Sequence, residues 1–223
     1  MKPMLLVLSF LLSTSMITLF SEAAKGSGNV LRDLKGAKAS GNVLRDLKGD
    51  ELRTGTPYYM RVNNFFLGGG VSLDKGKNTC PIDVILLRNP LDSGIPVIFS
   101  TYDGESVITD STSTYISFDT NSSCAESTTW IVEEDESSTS AKFFVTTGGD
   151  KDYGNTVFRL VNDEQLASYY KLQARYVTHG LAAISDVGFE ARFFAARRLA
   201  MKDPPLLVSF TKVEDYINGL RDE

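Results

Sequence analysis

Short apolar runs, each broken by turn-forming residues, fill the chain from Tyr58 to Phe210. They occupy residues 58–62, 71–73, 84–87, 96–99, 115–118, 129–132, 142–146, 158–161, 170–176, 198–201 and 206–210. Aromatic and β-branched residues dominate them, each run has the length of a strand, and no helical period is sustained between them. The pattern predicts an all-β protein, and periodicity alone leaves sandwich and barrel both open. Residues 181–183 and 193–200 can carry a helical turn, although Arg197-Arg198-Leu199-Ala200 suits a strand equally well.

The entrance to the first strand is the most informative segment. Gly49 and Asp50 supply turn chemistry, and Gly55 and Pro57 punctuate the chain before Tyr58-Tyr59-Met60. Upstream, residues 27–36 read Ser-Gly-Asn-Val-Leu-Arg-Asp-Leu-Lys-Gly, and residues 40–49 repeat them. Neither copy can form a supersecondary unit, so the repeat is not a solenoid. Only the second copy runs on into the strand. Residues 24–43 are therefore expected to form a mobile N-terminal extension born of local duplication, with a functional propeptide as the alternative.

Lys2 precedes an apolar run over residues 4–20, and Ser21-Glu22-Ala23 places small residues where a signal peptidase reads. Residues 1–23 are thus expected to be a secretory signal peptide. The alternative, an uncleaved anchor, is disfavoured by a short stretch that Ser13, Thr14 and Ser15 interrupt. No later apolar run could span a bilayer, so no membrane partner is expected after signal removal. Export favours a disulfide between Cys80 and Cys124 over two free thiols.

Composition narrows the classes further. With 223 residues and 42% hydrophobic content, the chain can bury one large all-β core or two small ones. Its net charge of −5 argues against a nucleic-acid partner. Two cysteines and the lone His179 cannot build a four-ligand zinc site, and neither a metal nor a cofactor is expected. Gly68-Gly69-Gly70 lacks the spacing and following Lys of a phosphate loop, and no nucleophile-elbow sequence accompanies His179. Trp130 reads as a core residue, the run Glu133-Glu134-Asp135-Glu136 as a solvated hairpin tip, and Asn121-Ser122-Ser123 as a glycosylation sequon on Asn121.

Taken in order, several short motifs resemble the plant Kunitz (soybean-trypsin-inhibitor-type) family, in its miraculin-like variant. They begin with Leu44-Arg45-Asp46-Leu47-Lys48-Gly49-Asp50-Glu51-Leu52 and Cys80-Pro81, and continue with Gly94-Ile95-Pro96-Val97-Ile98-Phe99. Cys124 with Ser127-Thr128-Thr129-Trp130, then Phe144-Val145-Thr146-Thr147-Gly148-Gly149 and Tyr170-Lys171-Leu172, come next. Asp186-Val187-Gly188, Arg197-Arg198-Leu199-Ala200 and Val208-Ser209-Phe210 close the series. The resemblance implies a β-trefoil of twelve short strands with pseudo-threefold symmetry, over a domain of residues 44–215 with a tail at 216–223. Arg45 and Lys48 depart from the family pattern. The family's second disulfide is missing after Leu172, which leaves one.

The same resemblance implies a secreted protein, extracellular or vacuolar, that is a monomer and not an enzyme. Its implied function is to inhibit a serine-type endopeptidase by presenting a substrate-like exposed loop. That loop comprises Thr101, Tyr102, Asp103, Gly104, Glu105, Ser106 and Val107, and the family's loop-supporting asparagine falls on Thr54. Aligned without gaps, the primary contact position is Gly104, with Glu105 after it. No Lys or Arg occurs between Arg88 and Lys142, so a basic anchor for trypsin is absent at any nearby register. Tyr102 could anchor in a chymotrypsin-like pocket instead. The competing expectation is a storage or defence-related trefoil that has lost inhibition.

Overall fold

The computed structural model describes residues 41–63, 68–75, 80, 82–121, 127–136, 142–190 and 196–221. The expected signal peptide, the first copy of the repeat, Cys124 and the sequon's Ser122 and Ser123 lie outside these residues. Among the described residues the chain forms twelve strands. They are β1 (Pro57–Val62), β2 (Val71–Asp74), β3 (Asp83–Leu86), β4 (Val97–Thr101), β5 (Thr114–Phe118) and β6 (Trp130–Glu134). The second half holds β7 (Phe143–Thr147), β8 (Phe158–Asn162), β9 (Tyr170–Thr178), β10 (Leu181–Glu190), β11 (Arg197–Met201) and β12 (Leu207–Lys212). The helix α1 (Val213–Arg221) follows, and a 3₁₀ turn spans Gly154–Thr156.

The pairing answers the question that periodicity left open. Strands β1, β4, β5, β8, β9 and β12 pair in that order, and β12 pairs back onto β9 and β1, closing a ring. The remaining strands form the hairpins β2–β3, β6–β7 and β10–β11, and β3, β7 and β11 pair with one another. All these contacts are antiparallel. A ring of strands has no free edge in the core.

The inward faces fill one hydrophobic core. Tyr58, Phe99 and Phe210 meet at ring-centroid distances of 5.3–6.3 Å, and Trp130 packs between Phe118 at 5.3 Å and Phe158 at 5.9 Å. Trp130 is fully buried, in keeping with its reading as a core residue.

Two elements differ from the sequence reading. Residues 181–183 do not turn helically; they open β10, which pairs with β9 through the register Leu181↔Thr178 to Asp186↔Gln173. His179 (φ 50°) and Gly180 (φ 76°) form the two-residue turn between these strands, and both carry the positive φ that such hairpins need. The helix α1 crosses from residue 215 into the segment taken as a tail. Tyr216 packs on Tyr59 of β1 with ring centroids 4.9 Å apart, and Glu214 and Asp215 sit in the helix's first turn, where the dipole favours acids.

Candidate functional site

Thr101↔Thr114 is the last pair of the β4–β5 ladder, and residues 102–113 form the excursion beyond it. The stem of this loop is held by the segment that precedes β1. The Leu44 amide donates to the Ile108 carbonyl at 3.0 Å, and the Ile108 amide donates to the Leu52 carbonyl at 2.9 Å. Leu44, Leu52 and Ile108 are all fully buried, so the stem is pinned by packing as well as by the ladder. Arg53 bridges to Val107, the Thr54 amide donates to the Ser106 carbonyl at 3.1 Å, and the Gly55 amide donates to the Phe99 carbonyl at 2.9 Å.

The turn that carries this brace is built around Asp46. Its carboxylate is buried, and Oδ1 accepts the amides of Lys48 at 2.9 Å and Asp50 at 3.0 Å. The Tyr170 hydroxyl donates to the Arg45 carbonyl and accepts the Arg45 amide, each at 2.7 Å. Burial pushes the Tyr170 phenol above its ordinary range. The side chains of Arg45 and Lys48, the two departures from the family pattern, point outward. Arg45 donates to the Gly49 carbonyl at 2.8 Å, and Lys48 pairs with Asp215 at 2.9 Å. Both substitutions are therefore accommodated without touching the core. The carboxylates of Asp46, Asp50 and Asp215 converge here, and Lys212 and Lys48 answer their charge. The Lys212 hydrogen bond holds the Asp50 carboxyl below its usual range and raises the Lys212 ammonium.

Above the brace, Tyr102, Asp103, Gly104, Glu105 and Ser106 are exposed, and Tyr102 stands 87% open to solvent. The Thr54 and Thr101 hydroxyls both donate to the Glu105 carbonyl, each at 3.2 Å. Thr54, the residue expected to support the loop, makes one of these two bonds. Thr101 was expected only as a loop residue; a hydroxyl at the end of β4 was the signal for its second role. The Glu105 amide turns back to Asp103 Oδ1 at 3.4 Å, closing a small turn around Gly104. Gly104 has φ 73°, and no atom lies within 4 Å of where its Cβ would be. The turn needs glycine for its backbone, not for lack of room.

Tyr102 also overhangs a cavity of about 350 Å³ beside β8, β9 and β10, lined by Tyr115, Arg159, Arg175 and Ile184 among others. Lys151 lies over the Tyr115 ring at 5.7 Å. Asn121 is exposed. Cys80 is disulfide-bonded. His179 is spent in the β9–β10 turn, with Nδ1 3.0 Å from the Thr178 hydroxyl, well removed in sequence from the loop.

The loop presents its exposed residues outward on a buried, hydrogen-bonded stem. A family model of legume Kunitz trypsin and protease inhibitors matches residues 44–212, which span the brace, the loop and all twelve strands. The chain belongs to this family. Its members are inhibitors rather than catalysts. The chain is similar to sporamin B of Ipomoea batatas, with 31% identity over 169 residues, 71% of this chain and 75% of the relative. It is similar to Kunitz trypsin inhibitor 4 of Arabidopsis thaliana, with 30% identity over 152 residues, 65% of this chain and 71% of the relative. Among solved structures, soybean trypsin inhibitor in its complex with porcine pancreatic trypsin superposes with a TM-score of 0.64. That match has 27% identity and covers 77% of this chain and 99% of the other.

Proposed function

We propose that this Kunitz-family chain inhibits a serine-type endopeptidase by presenting residues 101–107 as a substrate-like loop, with Tyr102 rather than Gly104 filling the enzyme's primary pocket. The observation that carries the reading is an 87% exposed aromatic side chain on a loop whose stem is buried and hydrogen-bonded. A loop already held in shape loses little ordering entropy on docking, which is where an inhibitor gains its affinity. Tyrosine suits the hydrophobic slot of a chymotrypsin-like pocket, whereas trypsin's pocket asks for a base that this loop lacks. Family membership supports the inhibitory class.

The wider reading follows from the same family. The ring of six strands and the three hairpins are taken as the barrel and cap of a β-trefoil with three pseudo-repeats, and Cys80 is taken to pair with Cys124. The protein is expected to be a secreted monomer, extracellular or vacuolar.

The test is titration of chymotrypsin, subtilisin and trypsin with the protein and with Tyr102→Ala. Inhibition of chymotrypsin or subtilisin at micromolar concentration or below, weakened at least tenfold by Tyr102→Ala, is expected. No inhibition of any of the three, with Tyr102→Ala indistinguishable, defeats the proposal. The positive φ of Gly104 favours a second reading, a storage or defence-related protein without inhibition. In that case the loop is cut by the added enzyme, or ignored, while the enzyme keeps its full activity.

A further inference from the structure

The loop supplies no base of its own, yet a cleft with two arginines opens directly beside it. No Lys or Arg occurs between Arg88 and Lys142, so a cation near Tyr102 must come from another part of the chain. Strands β8 and β9 bring two. Arg159 stands opposite Gln173 in the β8–β9 ladder, and Arg175 stands opposite Ile184 in the β9–β10 ladder. Together with Tyr102 and Tyr115, these residues line the cavity of about 350 Å³. That volume lies at the small end of the range for pockets that enclose organic ligands. Its rim is apolar as well as charged: Tyr102 is 87% exposed and Ile184 63% exposed, while Phe158 and Ala174 are buried beneath.

The Arg175 amide donates to the Val157 carbonyl at 2.9 Å. Its Nη1 lies 3.3 Å from where a Cβ on Gly154 would begin, so the side chain uses the room that this glycine leaves. Among the described residues neither Arg159 nor Arg175 has an ion-pair partner, whereas Lys48, Arg53, Lys142, Lys171, Lys202 and Lys212 each pair with a carboxylate. Asp186 stands two strand spacings from Arg159, roughly 10 Å, and its carboxylate accepts the Gln173 side-chain amide at 2.9 Å. Lys151 over the Tyr115 ring adds a positive charge, and its neighbour Asp152 offsets it. The two guanidiniums are what the cleft leaves unanswered.

We propose that this cleft binds a small aryl carboxylate, its ring packed among Tyr102, Tyr115 and Ile184 and its carboxylate held by Arg159 and Arg175. A guanidinium presents a planar fork that matches the two oxygens of a carboxylate, which makes arginine the better suited cation here. A bare inorganic anion would satisfy the charge and leave the aromatic walls in water. A neutral aromatic would cover the walls and take water from two guanidiniums without replacing its hydrogen bonds. The aryl carboxylate class meets both demands within the volume available. The site stands on the cleft alone, whether or not the loop engages an enzyme.

The test is calorimetric titration of the protein with sodium trans-cinnamate, with cinnamyl alcohol and sodium acetate as the two half-ligands. Cinnamate is expected to bind saturably at one site per chain with a submillimolar dissociation constant, and each half-ligand at least tenfold more weakly. The double variant Arg159→Gln with Arg175→Gln is expected to weaken cinnamate at least tenfold. Both side chains are exposed, so its urea unfolding midpoint should match the wild type. Should it fail to fold, Arg159→Lys and Arg175→Lys take its place, keeping the charge and losing the fork. Severalfold weakening by either lysine variant supports the proposal. Three results overturn it: no saturable cinnamate binding up to 10 mM, about a hundredfold above the expected scale; acetate binding as tightly as cinnamate; or an affinity for cinnamate that the arginine variants leave unchanged.

Discussion

Replacing Gly104 with arginine puts a trypsin-type bait at the position where ungapped alignment expects one, and the geometry says it will not work. Gly104 holds φ at 73°, and its neighbours Thr54, Thr101 and Asp103 are bonded to Glu105 in a way that depends on that turn. An L-residue kept in this region costs about 1–3 kcal/mol. Escaping to the extended form that a protease accepts releases the strain but gives up the bonds to Glu105, worth about 0.5–1.5 kcal/mol each. With three such bonds the second route costs about 1.5–4.5 kcal/mol, so the cheaper, strained route at about 1–3 kcal/mol sets the penalty, and at 1.4 kcal/mol per decade that is about a five- to hundredfold weaker inhibition constant than a preformed basic loop would show. Tyr102 has no positive φ, so Tyr102→Arg carries no such cost. The assay is tight-binding titration of active-site-calibrated trypsin with wild type, Gly104→Arg and Tyr102→Arg, together with electrophoresis to see whether the loop is cut. Tyr102→Arg is expected to inhibit more strongly than Gly104→Arg, and Gly104→Arg to behave mainly as a substrate. Nanomolar inhibition by Gly104→Arg, with unchanged unfolding stability, would refute the reasoning.

Two further outcomes follow from the core and the cap. Trp130→Ala removes a fully buried indole packed on Phe118 and Phe158 and is expected to cost about 3–5 kcal/mol in urea unfolding, with a loss under 1 kcal/mol ruling out its central place. Burial outweighs the nearby Arg198 guanidinium and lifts the Asp83 carboxyl above its usual value of 3.8. The native state therefore binds that proton more tightly than the unfolded chain. The stability this supplies is complete below about pH 3.8 and is lost as pH rises through the raised value. Unfolding midpoints of wild type and Asp83→Asn compared across this window should show a gap that changes in that direction, and parallel profiles would contradict it.

How much was legible from the chain depends on whether local pattern and tertiary demand agreed. Strands such as β5 and β7 carry aromatic and β-branched residues bounded by turns, and their runs coincide with the ladders to within a residue or two. β10 was obscured because Ala182 and Ala183 are not strand formers and its first half is largely exposed; its pairing with β9 decides the matter over propensity. The helix α1 was missed although Val213, Tyr216, Ile217 and Leu220 keep helical spacing, because the stretch is short, carries Gly219 inside it and follows β12 with no turn residue to mark its start. At the loop, the expectation of residues 101–107 as the contact loop and of Thr54 as its support followed from the family resemblance alone. The sign of φ at Gly104 did not, since glycine adopts either sign with equal ease and only the surrounding bonds choose.

The family signature and the proposed contact loop sit on opposite sides of one physical boundary. Leu44, Asp46 and Leu52 are buried, and each is committed to holding the turn or the loop stem, so changing any of them costs folding free energy. Tyr102, Asp103 and Glu105 are exposed. Substitution there is nearly neutral for stability, while on the proposed reading it resets which enzyme, if any, is engaged. A chain can therefore keep the whole scaffold and its recognisable entrance while its loop drifts from a basic bait to an acidic, glycine-centred turn. By the same reasoning, the braced stem is a standing mount on which a different loop apex could restore or redirect inhibition without rebuilding the core.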